Sequence, residues 1–405
     1  SASKGQSLAP ATLPQGLAYT GNDINAVLEQ SEAEYKLTQL STVPVPVINR
    51  HFSAPVTVTM DPALSFSELA TVMAHDSDPV SRWDAAQELL CSAVLEVYRS
   101  PTPPHAVSTS TLPFDLSTVA SAVRGVLRSV HVPLSTATSP PADALDSFTA
   151  SLLLTPPPDA VILSYLARSI RAQHASSAPP HIDPRLAHAT LRSVRAAIAD
   201  QVQTELLEVY RDCTRSLAYL REAGKANSSS VSAEQVTIRG RGPRALMNVL
   251  LQWMIMADHS PTLISEAVQL SAKQYDQGVA QGNMTKQAGA LAAIVHAPRA
   301  RFGADQDRVL TDFFTRFAGD ALVLDKWFRA QALADTPDTL HRVDELSRNA
   351  AFRLDNPNKV YSLIGAFGAN AAAFHRADGA GYAFMANQVR TRLCVFRSLN
   401  RSQPM

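Results

Sequence analysis

The stretch that decides the fold lies between Gly282 and Gln388, and its clearest part reads Asn356-Pro-Asn-Lys-Val-Tyr-Ser-Leu-Ile-Gly-Ala-Phe367. Asn356 is a residue type that caps helices, because its side chain accepts hydrogen bonds from the first free backbone N–H groups. Pro357 then occupies the helical position that needs no N–H. The pair predicts a helix start, and one apolar face follows it: Val360, Leu363, Ile364 and Phe367.

Two more helix starts precede this one. Asn283-Met-Thr-Lys286 opens the first helix and Thr336-Pro337 opens the second. Their apolar faces are Ala288, Leu291, Ala292 and Val295 in the first helix, and Leu340, Val343 and Leu346 in the second. Because helices this short are unstable alone in water, each must bury its apolar face on neighbours. The stretch therefore predicts a packed array of short helices.

The composition argues against several classes of function. The chain has 405 residues, of which 46% are hydrophobic and 18% charged, so it can bury a large core. The formal net charge is zero and no run of like charges stands out, so no nucleic-acid partner is expected. No apolar stretch approaches the ~20 residues that span a bilayer, so no membrane partner is expected either.

The cysteines and the first residues bear on location. Cys91, Cys213 and Cys394 are widely spaced and form no Cys-x-x-Cys pair, which argues against a disulfide scaffold. The opening Ser1-Ala-Ser-Lys-Gly5 is not a signal peptide, and it has no initiator Met, so N-terminal targeting cannot be judged from it. We predict a cytoplasmic protein, since this cysteine pattern fits a reducing compartment.

The sequence divides into four predicted regions: a flexible segment at 1–24, the remnant of a β-sandwich domain at 25–60, a helical domain at 61–388 and a divergent tail at 389–405. The β remnant rests on three predicted strands, at Tyr35–Gln39, Val43–Ile48 and Phe52–Thr59. Three strands do not make a stable domain alone, so further strands are expected upstream.

Capping residues followed by proline mark helix starts throughout the helical region. They are Asp61, Asp78, Asp183, Ser260, Thr336 and Asn356. They indicate many antiparallel helices joined by tight turns, without a fixed sequence period. We therefore predict a mainly α fold, a solenoid-like superhelical array of the HEAT/ARM kind. Linkers rich in Ser, Pro and Ala are expected at 100–113, 135–143, 173–180 and 224–233.

The amino-acid sequences of several segments resemble those of a known family. Near the C-terminus they are Leu324-Asp-Lys-Trp-Phe328, Asn356-Pro-Asn358, Ser362-Leu-Ile-Gly-Ala-Phe367, Ala373-Phe-His375 and Asp378-Gly-Ala-Gly-Tyr-Ala-Phe384. Upstream they are Pro44-Val-Pro46 with Phe52-Ser-Ala-Pro-Val56, and Ser81-Arg-Trp-Asp-Ala-Ala-Gln87. Taken in order, residues 25–388 resemble the C-terminal helical domain of the aminopeptidase N family, bacterial-type alanyl aminopeptidases among the zinc metallopeptidases, with the end of the preceding β-domain.

The resemblance implies a superhelix that caps a catalytic domain. Family members hold zinc on a His-Glu-x-x-His helix and release N-terminal residues from peptides. None of the 11 histidines of this chain is followed by Glu, and no two lie four residues apart. The Gly-x-Met-Glu-Asn motif, which would hold the substrate's free amine, is also absent from the sequence. The resemblance implies that both motifs lie upstream. We therefore expect no cofactor in this chain and zinc in the full-length parent enzyme. The expected partners are the catalytic domain of the same polypeptide and, in the full-length enzyme, its peptide substrates.

Other kinds of site find less support. His181 and His188 could share a helix face, but without a third ligand of suitable spacing solvated or capping histidines are favoured over a metal site. Arg239-Gly-Arg-Gly-Pro243 lacks the strand and helix of a phosphate loop and is interpreted as a surface turn. No Gly-x-Ser-x-Gly elbow occurs, and the sequence does not decide whether Cys91 or Cys213 pairs with a histidine.

Asn358, Tyr361 and His375 are the candidates for lining the substrate channel. The motif at 356–361 resembles one whose helix faces the catalytic chamber, where the family usually presents an arginine at the position of Tyr361. Tyrosine can hydrogen-bond but cannot hold a carboxylate as an arginine fork can. The alternative is structural: Asn356 caps, Tyr361 packs and His375 lies in a turn.

A second set is predicted to hold the structural motif together. It comprises Arg82, Trp83, Asp84, Asn283, Asp325, Trp327, Asn356 and Asp378. Trp83 is expected to anchor its helix to the preceding strands, and Arg82 is expected to pair with Asp84.

Two functional hypotheses follow. In the first, the chain is the non-catalytic helical domain of a zinc aminopeptidase and is inactive alone. In the second, it is a free-standing helical scaffold that binds proteins. After Gln388 the resemblance stops and the chain becomes basic. The closing helices of the superhelix are therefore expected to be missing, which would leave an apolar face exposed on the helices next to them.

Overall fold

The computed structural model describes residues 17–20, 23–26, 31–35, 43–100, 116–132, 144–173, 181–225 and 237–401. The chain divides into two units, Ser1–Val58 and Thr59–Met405, which are described separately. The predicted linkers lie wholly or largely outside the described residues, as do the first 16 residues of the segment predicted to be flexible and most of the strand predicted at Tyr35–Gln39.

The first unit contains a β-hairpin. Strands β1 (Leu17–Thr20) and β2 (Asp23–Ala26) pair antiparallel, with Leu17 opposite Ala26. The residues between them in the sequence are Gly21-Asn22, a pair typical of hairpin turns. The hairpin therefore begins inside the region that composition alone predicted to be flexible.

The strands predicted at Val43–Ile48 and Phe52–Thr59 are wrong, because residues 43–48 and 53–59, all of them described, form no strand. Pro44 and Pro46 have no N–H to donate to a neighbouring strand. A 3₁₀ turn at Arg50–Phe52 then interrupts the extended run. Asn49, at a left-handed φ of 59°, supports this turn by accepting a hydrogen bond from the Ala54 N–H at 2.9 Å.

The second unit is a helical array. Its helices are α1 (Phe66–His75), α2 (Pro79–Arg99), α3 (Leu116–Ser129), α4 (Ser147–Leu153), α5 (Asp159–Gln173), α6 (Pro184–Gln201), α7 (Gln203–Lys225), α8 (Arg241–Ile255), α9 (Pro261–Ala280), α10 (Met284–Ile294), α11 (Arg299–Arg316), α12 (Ala321–Ala332), α13 (Thr339–Ser347), α14 (Pro357–Val360), α15 (Ala366–Gly368), α16 (Ala371–Phe374) and α17 (Ala380–Arg401). A π-helical turn, Tyr361–Gly365, joins α14 to α15, and strands β3 (Val130–His131) and β4 (Leu145–Asp146) form one short parallel pair. The predicted mainly α, solenoid-like fold is confirmed.

The capping residues act as predicted at three helix starts. Asp78, Asp183 and Asn356 each accept a hydrogen bond from a backbone N–H of the helix that follows, and proline occupies the first turn of each helix. Ser260 differs, because its hydroxyl donates to Asp200 instead. Near Thr336 the helix begins only at Thr339.

At Asp61 the predicted start is wrong. Helix α1 begins at Phe66, because Ser65 and Glu68 form a capping box in which each side chain bonds the backbone N–H of the other residue. A Ser-x-x-Glu spacing supplies this reciprocal cap, whereas Asp61 has no glutamate or glutamine three residues later.

Helix α12 organises the C-terminal part of the array and packs against α10, α11, α13, α14 and α15. Trp327 and Phe328 of this helix are 7% and 0% exposed, with ring centroids 5.1 Å apart. The Trp327 indole Nε1–H donates to the Leu310 carbonyl of α11 at 2.9 Å. No helix of the described residues is long and apolar enough to cross a membrane.

Asn370 fastens the end of α12 to α16, which suggests a stability test. Its side-chain amide donates to the carbonyls of Ala332 and Ala334, at 3.1 and 2.9 Å, while its oxygen caps α16 by accepting from the Ala373 N–H at 3.1 Å. We expect Asn370→Ala to lower the free energy of unfolding by about 2–4 kcal/mol, because the Ala332 carbonyl loses this donor, the Ala334 carbonyl keeps only the Thr339 hydroxyl, and a helix cap is removed. The measurement is urea unfolding followed by circular dichroism.

Asn387→Ala is the matched control, because Asn387 is exposed and its side chain accepts only from Arg390. We expect that variant to unfold within about 0.5 kcal/mol of the unsubstituted chain. Equal midpoints for the two variants would contradict the role given to Asn370.

Candidate functional site

The predicted channel residues Asn358 and Tyr361 form an exposed surface on α14 and the π-helical turn, here called the Tyr361 surface. Tyr361 is the first residue of that turn and is 72% exposed, and Asn358 is also exposed. A π-helical turn is rare and is often found at functional sites. The phenol can donate one hydrogen bond and its ring can stack on a ligand, so this surface has groups suited to binding.

A buried ion pair supports the Tyr361 surface from within. Lys359 is 4% exposed, and its Nζ donates to Asp325 Oδ1 at 2.8 Å and to the Ala321 carbonyl. The same ammonium lies 5.4 Å from the Phe328 ring centroid, a cation–π arrangement. Two of the regions that carry the family resemblance, 324–328 and 356–367, therefore pack directly on each other.

His375 belongs to a different contact. Its Nδ1 lies 2.7 Å from the Tyr382 hydroxyl, and its ring packs edge-on against Phe374 at a centroid distance of 4.9 Å. Asp378 follows, accepting from the Ala380 N–H at 3.0 Å and pairing with Arg376 at 2.8 Å, and so fixes the start of α17. His375 is half-buried in this turn and holds it to α17.

The remaining motif residues have structural contacts. Asn283 caps α10 by accepting from the Lys286 N–H at 3.0 Å. Arg82 does not form the predicted pair with Asp84; its Nε donates to the Met73 carbonyl at 2.8 Å and ties α2 to α1. The carbonyl at the end of α1 needs a donor, and Arg82 reaches it. Trp83 is 43% exposed.

A partly buried polar cluster around His188 was missed by sequence reasoning. His188 Nδ1 lies 2.9 Å from Asp159 Oδ2, and Nε2 lies 3.0 Å from Asp335 Oδ2. Arg192 donates to Asp335 and forms a two-pronged pair with Asp258 at 2.7 and 2.8 Å. These five residues, here called the His188 cluster, join α5 and α6 to the turns before α9 and α13.

Opposing effects set the protonation of the His188 cluster. Burial alone would lower the pKa of His188, but hydrogen bonds and charge from Asp159 and Asp335 raise that pKa to about 9. Burial would likewise raise the pKa of Asp335, yet His188 and Arg192 hold this pKa well below its ordinary value. At neutral pH the imidazolium therefore donates from both nitrogens to carboxylates.

This cluster does not fit a zinc site. Zinc needs a ring nitrogen with a free lone pair, and both nitrogens of His188 face carboxylates. Across the described ranges, no group of three or more His, Cys, Asp or Glu side chains could hold a metal ion. Burial also raises the pKa of the Cys91 and Cys213 thiols, each to about 12, so neither is a ready nucleophile.

Comparison with known proteins places this geometry in a family. Residues 67–392 match the family described as a domain of unknown function (DUF3458_C) with ARM repeats. The chain is 28% identical over 369 residues to aminopeptidase N of Escherichia coli K12, and 26% identical over 364 residues to aminopeptidase N of Caulobacter vibrioides. Each alignment covers 90% of this chain and 35% of the relative, so the chain spans about a third of the length of these relatives.

The solved structures agree on the fold. Aminopeptidase A of Legionella pneumophila, in a crystal structure with aspartic acid, superposes with a TM-score of 0.64 at 22% identity. The match covers 91% of this chain and 36% of that protein.

The His188 cluster predicts a pH dependence of stability. Because the pKa of His188 in the folded chain is about 9, above the ordinary 6.5, its stabilisation is fully present below pH 6.5 and is lost as the pH rises through 9. We expect His188→Gln to lower the free energy of unfolding by about 3 kcal/mol at pH 6 and by much less at pH 10. Urea unfolding at both pH values measures this difference.

His341→Gln is the matched control, since its side chain is 76% exposed and lies 3.7 Å from Glu345. It should follow the unsubstituted chain at both pH values. A His188→Gln effect of the same size at pH 6 and pH 10 would show that the imidazolium charge does not stabilise the fold.

Proposed function

This chain belongs to the DUF3458_C family of ARM-repeat domains, and we propose that it serves as the non-catalytic helical domain of a zinc aminopeptidase. In this role it covers the catalytic domain of the same polypeptide and shapes the channel through which peptides reach that domain. The observation that carries the proposal is the Tyr361 surface: exposed polar and aromatic side chains on a segment that resembles the aminopeptidase N family and is fixed by the buried Lys359–Asp325 pair.

The roles proposed for the catalytic domain and for this chain follow from the residues that this chain contains. In the family, zinc supplies the activated water that attacks the peptide bond. The described residues fit no zinc site, so hydrolysis is assigned to the catalytic domain. The part left to this chain is to limit access and to contact the substrate beyond the residue that is released.

The Tyr361 surface suits a contact with the peptide backbone. A tyrosine hydroxyl can bond one backbone carbonyl or N–H, and the ring adds apolar contact at low entropic cost. It lacks the two-pronged fork that an arginine would offer to a terminal carboxylate. Peptides long enough to extend beyond the released residue are therefore the substrates on which we expect Tyr361 to act.

We also propose a cytoplasmic location. Cys91 and Cys213 are buried free thiols, which fits a reducing compartment.

The isolated chain tests the catalytic half of the proposal. Purified without its upstream partner, it should hydrolyse no alanyl chromogenic amide, and its coding sequence should continue upstream into a reading frame with His-Glu-x-x-His. Chelator-sensitive hydrolysis by the pure chain would overturn the assignment, as would a native start just before Ser1.

The complete protein tests the channel. We expect Tyr361→Ala to raise KM about fivefold for peptides of several residues, through loss of roughly 1 kcal/mol of binding, with little change in kcat. A short alanyl amide, which does not reach Tyr361, should be hydrolysed as before. Steady-state kinetics on both substrates measures this difference.

Tyr361→Phe removes the hydroxyl and keeps the ring. Its KM for longer peptides should therefore lie between that of the unsubstituted enzyme and that of the Tyr361→Ala variant. Leu152→Ala, a change at a 45% exposed residue of α4, is the control for a surface truncation elsewhere. A Tyr361→Ala enzyme with unchanged KM for every peptide length would remove this residue from the channel.

A further inference from the structure

A cleft between α11, α12 and α13 lies outside the Tyr361 surface and the His188 cluster. Its lining combines apolar side chains with both signs of charge, including Phe314, Trp327, Arg299, Asp307, Arg342 and Glu345. Such a mixture, with an apolar base and a few convergent polar groups, is typical of small-molecule sites.

Two aromatic rings form part of the cleft lining. The rings of Phe314 and Trp327 lie 4.9 Å apart at an interplanar angle of 47°. Trp327 is held in place because its Nε1–H donates to the Leu310 carbonyl at 2.9 Å. A ligand that enters here meets a preformed apolar surface and does not need to order it.

The charged groups differ in how well they are already paired. Arg299 contacts Asp307 at 2.9 Å, Gln306 at 3.4 Å and Asp338 at 3.7 Å, so its guanidinium is largely engaged.

Arg342 is less engaged than Arg299, although its side chain is only 14% exposed. Within the part of the chain that the structure describes, it makes one long contact, from Nη2 to Asp338 at 3.4 Å. A guanidinium has five N–H donors, so several remain for a ligand. Burial, followed by the positive charge of Arg299, lowers the pKa of Arg342, as is expected for a cation with too little compensation.

Glu345 provides the opposite charge on the same helix. It lies three residues after Arg342, so the two side chains are neighbours on one face of α13. Its described contact is with His341, at 3.7 Å, and its side chain is 62% exposed. The cleft lining thus combines the largely buried cation of Arg342 and the neighbouring anion of Glu345 with two aromatic rings.

We propose that this cleft binds a free α-amino acid with an apolar side chain. The ligand's carboxylate pairs with Arg342, its ammonium pairs with Glu345, and its side chain packs on Phe314 and Trp327. A purely anionic ligand fits less well, because Asp307 and Glu345 balance the two arginines. A purely apolar ligand would leave the charged groups desolvated without a partner.

The binding claim stands without the proposed function. Amino acids released by an aminopeptidase are ligands of this class. Only the identification of the ligand with such a released amino acid rests on the proposed function.

The test is calorimetric titration of the full chain with L-phenylalanine and L-leucine. We expect saturable binding with a Kd on the order of 0.1–1 mM, as befits a ligand of this size. 3-Phenylpropionate lacks the ammonium and phenethylamine lacks the carboxylate, so each should bind at least about tenfold more weakly if both charges are read.

Two variants test the two charges separately. Arg342→Gln should weaken phenylalanine binding at least about tenfold, and Glu345→Gln about threefold or more. Glu345 is exposed, so its variant should fold normally even if loss of the Arg342–Asp338 contact destabilises the other. Arg353→Gln is the control, because Arg353 pairs with Asp355 on the surface and does not line the cleft.

Several results would overturn the proposal. The first is that neither amino acid gives saturable heat. The second is that phenylalanine, 3-phenylpropionate and phenethylamine bind with equal affinity. The third is that phenylalanine binds unchanged to both the Glu345→Gln variant and a correctly folded Arg342→Gln variant. None of these readings depends on hydrolysis, so failure here is distinct from failure of the proposed function.

Discussion

Asp335 is the acceptor on which distant parts of the helical array converge. Its carboxylate receives bonds from His188 and Arg192 of α6, and its backbone N–H donates to His296 Nδ1 at 3.1 Å. His188 lies 147 residues from Asp335 in sequence. In a solenoid-like array most contacts join neighbours along the chain, so a bond across this separation restrains the array as a whole. The carboxylate can do this because two cations share it and compensate the cost of its burial.

The same requirement, that buried polar groups be bonded, recurs at the ends of the helices. The last carbonyls of a helix have no partner inside it. Here the buried amide of Gln306 bonds the Ile294 and Ala297 carbonyls at 3.0 and 2.7 Å, and the Trp253 indole bonds the Leu154 carbonyl at 2.7 Å. Asn370 does the same at the end of α12. Side chains from one helix thus complete the hydrogen bonding of another, which fixes how adjacent helices meet.

How far the sequence could predict this structure depended on the range of each interaction. Asn283 and Asn356 were predictable as caps, because their partners lie two or three residues away. The pairing of β1 with β2 has a sequence signal in Gly21-Asn22, but the Gly/Ala/Pro-rich composition of residues 1–24 favours a flexible segment. The pairing of His188 with Asp159 and Asp335 was not, because no spacing rule connects residues 29 and 147 positions apart. The cleft above Trp327 was hidden for the same reason: α11, α12 and α13 create it only by packing together. The exposure of Tyr361 likewise required the neighbouring helices.

The π-helical turn at Tyr361–Gly365 lets this part of the chain hold one extra residue without changing how the segments on either side of it face. Such a turn holds one residue more than an α-helical turn, and each residue advances a helix by about 100°. Deleting a single residue between 361 and 365 would let the segment relax to a regular α-helix. A π-helical turn and an α-helical turn each complete one rotation, so this deletion would leave Tyr361 and Lys359 facing almost the same way relative to Phe367, whereas a deletion inside a regular α-helix would turn the residues before it by about 100°. Loss of one residue should therefore disturb the packing less within this turn than within the regular α-helices around it.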